Sequence, residues 1–136
     1  MSTADNKALV QRYIDEVWNK RALALADDLV SPSYDPGLGI PARGADGARI
    51  LVQVFLGAFP DFALKTEDVF GEDDRVALRF TFTGTQRGPW GGVPATGKAV
   101  RIEGTTIYRI DAGKVAATWF SYDGVGLLQQ IGALPG

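Results

Sequence analysis

Between Leu9 and Trp18 the apolar positions fall three and four residues apart, at Leu9, Tyr13, Ile14, Val17 and Trp18. That spacing keeps one stripe of a helix apolar, and the Ser2-Thr3-Ala4-Asp5 stretch ahead of it offers N-caps, so a helix is predicted over about residues 5–19. Leu23, Leu25, Ala26, Leu29 and Val30 predict a shorter helix over about 21–30, which runs up to Pro32. The stretch SPSYDPGLGIPARG that follows is a loop by its prolines and glycines. Ile50, Leu51, Val54, Phe55 and Ala58 mark a third helix over 45–59, which Pro60 ends because the residue before a proline avoids the helical region.

Beyond Pro60 the period shortens. Phe62–Val69 reads as a strand, Glu72-Asp73-Asp74 as a turn, and Arg75–Gln86 as a clearly alternating strand with Val76, Leu78, Phe80 and Phe82 on one face. The Gly88–Pro94 stretch is a loop with one large aromatic, Trp90. Two more strands, 98–110 and 114–122, meet at a turn over Asp111–Gly113, and 124–131 closes as a short helix. Three helices followed by a mostly antiparallel sheet define an α+β class with helices on one face, within a single domain over 1–136.

Composition narrows the chemistry. The chain has no histidine and no cysteine, which removes thiolate metal sites, cysteine nucleophiles and any Ser-His-Asp hydrolase. Acid–base work falls to Asp, Glu, Tyr or Lys. With 14 basic and 16 acidic residues there is no electrostatic case for nucleic acid or an anionic membrane. The opening MSTADNKALVQRY has no apolar signal core, and no apolar run approaches the ~18 residues of a membrane span. A cytoplasmic location is the expectation.

The stretch WFSYD poses the chemical question. Val115, Ala117 and Trp119 share one face of the 114–122 strand, which faces the helices, and Asp123 continues that face where the sheet should open. Desolvation in an apolar pocket would suit Asp123 to moving protons near neutral pH. The plainer account, favoured by spacing alone, is that Asp123 caps the next helix. Gln86 has the parity of Phe80 and Phe82, and serves either as a polar orienting group or as a side chain where the strand leaves the core. Trp18, Phe55, Phe59, Phe80 and Trp119 are candidates to line an apolar pocket for a flat or terpenoid-sized ligand, although their spacing also suits the core. Trp90, in a Gly/Pro-rich loop, reads as a pocket lid or subunit contact. Tyr34-Asp35-Pro36 offers a phenol and a second carboxylate, with an Asx-type turn as the simpler account.

The ordered motifs resemble one family. The opening NKALVQRYIDEVWNKRALALADDLV, the AFPDF at 58–62, and the run from DRVALRF through PATGK, YRIDAGK and WFSYD to QQIG are similar to SnoaL-like polyketide cyclases, or ester cyclases. The resemblance covers almost the whole chain. It implies a cone-shaped, nuclear-transport-factor-like fold whose curved sheet wraps the helices around a deep pocket. It further implies intramolecular ring closure with no metal or organic cofactor, a hydrophobic small-molecule substrate, and Asp123 as the acid/base. A homodimer paired through outer sheet faces is also implied, and the alternating Thr81, Thr83, Thr105 and Ile107 positions would suit a partly polar contact there. Two departures stand out: Gln86 occupies the place of the family's G-T-H-x-G histidine, and Tyr34-Asp35-Pro36 replaces a His-Asp-Pro. Epoxide-opening hydrolysis or ether formation, and a non-catalytic ligand-binding or dimer scaffold, remain alternatives on the same fold.

Overall fold

The computed structural model describes residues 2–135. The first helix, α1 (Thr3–Arg12), opens on a capping box in which Ser2 Oγ accepts from the Asp5 amide and the Asp5 carboxylate accepts from the Ser2 amide. It then passes into a π-helical turn, Tyr13–Asn19, with i→i+5 bonding. Arg21 ends this segment. Its backbone takes the left-handed region at φ +59°, and its guanidinium donates to the Trp18, Asn19 and Phe62 carbonyls at 2.8, 2.9 and 2.7 Å. The helix predicted over 21–30 is therefore reduced to a 3-10 turn at Leu23–Leu25 and a single turn α2 (Ala26–Leu29). The third helix is close to its prediction, α3 (Gly44–Ala58), and a short α4 (Gly124–Gln130) follows the sheet.

Four strands, β1 (Ala63–Glu72), β2 (Arg75–Thr85), β3 (Ala99–Asp111) and β4 (Lys114–Tyr122), pair antiparallel in sequence order. The sheet is curved, and its concave face packs on the helices in one core that includes Val10, Val17, Val52, Leu78, Val76 and Val115. Among the described residues no helix is long and apolar enough to cross a membrane.

Two bulges interrupt the ladder. Glu67 is the extra residue in β1, and Thr81, expected on the outer face as a contact position, is buried there with its hydroxyl donating to Glu67 Oε1 at 2.9 Å. In β4, Val115 faces Ile110 and Ala117 faces Arg109, so Ala116 stands without a partner. An extra residue shifts the side-chain alternation by one. Val115 points inward as expected, but beyond the bulge the inward set is Thr118, Phe120 and Tyr122. The expected inward placement of Ala117 and Trp119 is thereby corrected: Trp119 is 48% exposed, and its ring lies 4.7 Å below the Arg75 guanidinium on the convex side.

Candidate active site

The helices and the concave sheet do not close completely on one another. They leave an apolar cavity of about 60 Å³, enough for about four or five waters. The π-helical turn contributes Tyr13, Ile14 and Trp18 to its wall; α3 contributes Leu51 and Phe55; the loop after α2 contributes Tyr34, Pro36 and Leu38. The sheet supplies Leu64, Phe80, Phe82, Thr106, Tyr108, Thr118 and Phe120. Alternation accounts for each sheet residue: Phe80 and Phe82 share one parity of β2, Thr106 and Tyr108 one parity of β3, and Thr118 and Phe120 the shifted parity of β4. Phe80 and Phe120 stack with centroids 5.9 Å apart and planes 10° from parallel. Gly104 makes room for this pair, since a Cβ there would come within 2.5 Å of the Phe80 ring.

The polar groups of the wall are few: three phenols, one indole and two threonine hydroxyls. Tyr34 Oη and Thr118 Oγ1 are 3.4 Å apart. The Tyr13 and Tyr108 rings meet edge to face at 6.4 Å. Burial pushes the Tyr13 phenol well above 10, neighbouring Tyr34 adds to the shift, the Trp18 indole N–H opposes it, and Tyr108 adds again. Tyr108 is raised by burial and by Tyr34, with Thr106 working the other way. Tyr34 is raised by burial, partly offset by Thr118. Each of these groups holds its proton at neutral pH. They act as hydrogen-bond donors and weak acids, and they are poor bases. Among the described residues no Asp, Glu, Lys or Arg lines the cavity.

The residues singled out from the sequence divide into groups. Trp18, Tyr34, Phe55 and Phe80 line the cavity. Phe59 is fully buried one layer behind, against Phe82 at 5.4 Å and Trp90 at 5.6 Å. Trp90 also packs on Phe55, at 5.1 Å, and so backs the wall without entering it. Asp35 is exposed in the Asx-type turn expected of it, its Oδ1 accepting from the Gly37 amide at 3.0 Å, with Arg43 3.5 Å from Oδ2. Trp119 lies outside, for the reason given by the bulge.

Asp123 is exposed at the N-terminus of α4, where its Oδ1 accepts from the Gly126 amide at 2.8 Å. That is the capping geometry favoured by spacing. Its connection to the cavity runs through the chain: Tyr122 stacks on Phe120 at 5.1 Å, and Phe120 is a wall residue. Gln86 is completely buried but turned away from the cavity. Its Nε2 donates to the Val93 and Pro94 carbonyls, both at 3.2 Å. Its Oε1 accepts from the Thr96 amide at 3.1 Å and the Thr96 hydroxyl at 2.8 Å. Four bonds saturate the amide, so the structure assigns Gln86 to holding the loop.

Several wall residues were not singled out. Tyr13 lies on the apolar helix stripe and so reads as core, and Tyr108, within the 98–110 strand, carries no chemical signal of its own. Thr118 and Phe120 were assigned to the wrong face because nothing in the local residues announces the bulge.

Comparison with known proteins accords with this architecture. The SnoaL-like polyketide cyclase profile matches residues 8–131. The comparison with curated proteins gives no match. Among solved structures, TsrD from Streptomyces laurentii superposes with a TM-score of 0.89 at 29% identity, over 98% of this chain and 99% of that one. AclR from Streptomyces galilaeus, described as a candidate hydroxylase, gives 0.82 at 31% identity, over 99% and 89%. A candidate SnoaL-like cyclase from Jannaschia sp. CCS1 shares the fold, with a TM-score of 0.85 at 24% identity over 98% and 95%. The α+β architecture is nuclear-transport-factor-like, and the chain belongs to the SnoaL-like polyketide cyclase family.

Proposed function

We propose that the protein is a cyclase-type enzyme acting without a cofactor on an apolar, ketone-bearing small molecule of polyketide character. The observation that carries this reading is the wall itself, an aromatic enclosure into which only phenol, indole and hydroxyl groups project. Such donors polarise a carbonyl and stabilise the oxyanion that forms when a neighbouring carbon loses its proton. The enolate carbon then attacks a second carbonyl of the same molecule, the ring bond forming as that carbonyl's π bond opens, and its oxygen takes up the proton first removed. Asp123 is the proposed proton acceptor, on the strength of the W-x-x-x-D match. It stands three residues beyond the wall residue Phe120, and its carboxylate is already oriented by the Gly126 amide.

A test needs no natural substrate. 1-Indanone in deuterated water reports enolisation as loss of its C2 proton signal. The protein should accelerate this exchange, and Asp123→Asn should abolish the acceleration while leaving the fold intact. Full exchange in Asp123→Asn would remove Asp123 from the mechanism.

One observation favours a second reading. No lining residue is a base at neutral pH, as a binding protein for apolar ligands would also require. Binding of 1-indanone with no exchange above background would favour it. In either case we propose a homodimer formed through the convex sheet face, where Ile107 and Trp119 lie directly opposite each other and both are exposed. A sedimentation mass equal to one 14.6 kDa chain would rule the dimer out.

A further inference from the structure

Two of the buried polar atoms in the wall have no hydrogen-bond partner within the described residues: the Tyr13 hydroxyl and Trp18 Nε1. Tyr13 is 2% exposed and Trp18 9%, and both line the cavity. Leaving a buried donor unpaired is costly, and native proteins rarely do so without a use for it. The backbone explains why both atoms meet the same space. On an α-helix, residues five apart point about 140° away from each other. Tyr13–Asn19 is π-helical, and its i→i+5 repeat sets Trp18 one turn above Tyr13 on the same side. The rings are held there by neighbours: Trp18 packs on Phe55 at 5.6 Å and Phe62 at 5.9 Å, and Tyr13 on Tyr108. The indole N–H is directed toward the phenol oxygen and opposes its pKa rise, but the pair falls short of hydrogen-bond geometry, so neither polar atom is satisfied by the other.

An indole N–H donates only, so the ligand atom it meets must be an acceptor. The surrounding wall is aromatic and aliphatic, which excludes a ligand that carries a permanent charge at that point. We propose that Tyr13 Oη–H and Trp18 Nε1–H form a two-donor site for a carbonyl oxygen, holding a ketone-bearing ligand whose carbon skeleton fills the cavity. This inference rests on the cavity being the substrate site. It adds an orientation: the carbonyl points to the π-helical turn, and the carbon skeleton toward Phe80 and Phe120. The π-helical turn is thereby a binding device. Returning Tyr13–Asn19 to α-helical bonding would point one donor away from the ligand.

The test compares 1-indanone with indane, the same bicycle without the oxygen. Binding is followed by calorimetry and by the ¹⁵N-resolved indole N–H signal of Trp18. The wild-type protein should prefer the ketone by about tenfold, and the ketone alone should move the Trp18 signal downfield. Tyr13→Phe should cut that preference severalfold and keep or raise the thermal midpoint, because the lost hydroxyl had no partner. Trp18→Phe should weaken the ketone preference in the same way, with Tyr13→Phe serving as the decisive variant if Trp18→Phe fails to fold. Equal affinity for the two compounds in the wild type would overturn the two-donor site while leaving the cavity as a ligand site. So would an unmoved Trp18 signal, or full ketone preference in Tyr13→Phe. Failure of both compounds to bind would overturn the cavity reading and this inference with it.

Discussion

Gln86 and Thr96 are joined twice: Oε1 of the glutamine accepts from both the amide and the hydroxyl of the threonine, at 3.1 and 2.8 Å. With the two carbonyls bonded by Nε2, this side chain fastens the 93–98 loop to the end of β2. Gln86→Ala leaves those carbonyls and the Thr96 groups without their buried partner. Stability should fall by about 2–4 kcal/mol in denaturant unfolding, with amide exchange rising in the loop. Gln86→His should recover only part of the loss, since a neutral imidazole has one donor and one acceptor.

Asp123 separates structure from chemistry cleanly. Asparagine caps a helix as well as aspartate does, so Asp123→Asn should unfold at the wild-type midpoint, whereas Asp123→Ala should lose about 1 kcal/mol. A loss of enolisation in the asparagine variant is then a loss of the carboxylate's chemistry. An equal loss of stability in both variants would mean that the charge itself holds α4.

The buried phenols set the alkaline limit. Tyr13, Tyr34 and Tyr108 have folded pKa values raised chiefly by burial, so the unfolded chain releases their protons first. Their contribution is complete below about pH 10 and is lost as pH rises through and beyond that value, at about 1.4 kcal/mol per pH unit for each phenol. Tyrosinate absorbance from these residues should appear together with unfolding. Its appearance in a protein that stays folded near pH 10 would contradict the burial.

Asp61 sets a smaller acid limit. It accepts from the Thr85 amide at 2.7 Å and the Thr85 hydroxyl at 2.8 Å, and the amide bond is the main reason its pKa is lowered. Stability from this exposed group is present above about pH 4 and lost as pH falls through the lower folded value. Solvent screening keeps the contribution small. Asp61→Asn should flatten the stability profile below about pH 4, with little change at neutral pH.

The element order and the inward set of β2 were legible because helical and strand periods differ, and β2 alternates without interruption. The turn at Asp35 and the cap at Asp123 were legible too, since both depend on residues two or three positions away. What escaped was non-local. The π-helical turn uses ordinary helix formers. The Ala116 bulge depends on how β3 receives β4, and the saturation of Gln86 depends on a loop ten residues on. Tyr13 and Trp18 were visible as apolar positions, but the absence of a partner for their polar atoms is a property of the assembled fold.

Ala116 is the residue that the ladder does not use. Val115 already opposes Ile110 and Ala117 already opposes Arg109, so the pairing on both sides of the bulge is in register with β3. Removing Ala116 would straighten β4 and leave Thr118 opposite Tyr108 and Phe120 opposite Thr106. For redesign of the pocket, the strand can therefore be shortened by one residue without changing which of its side chains line the wall.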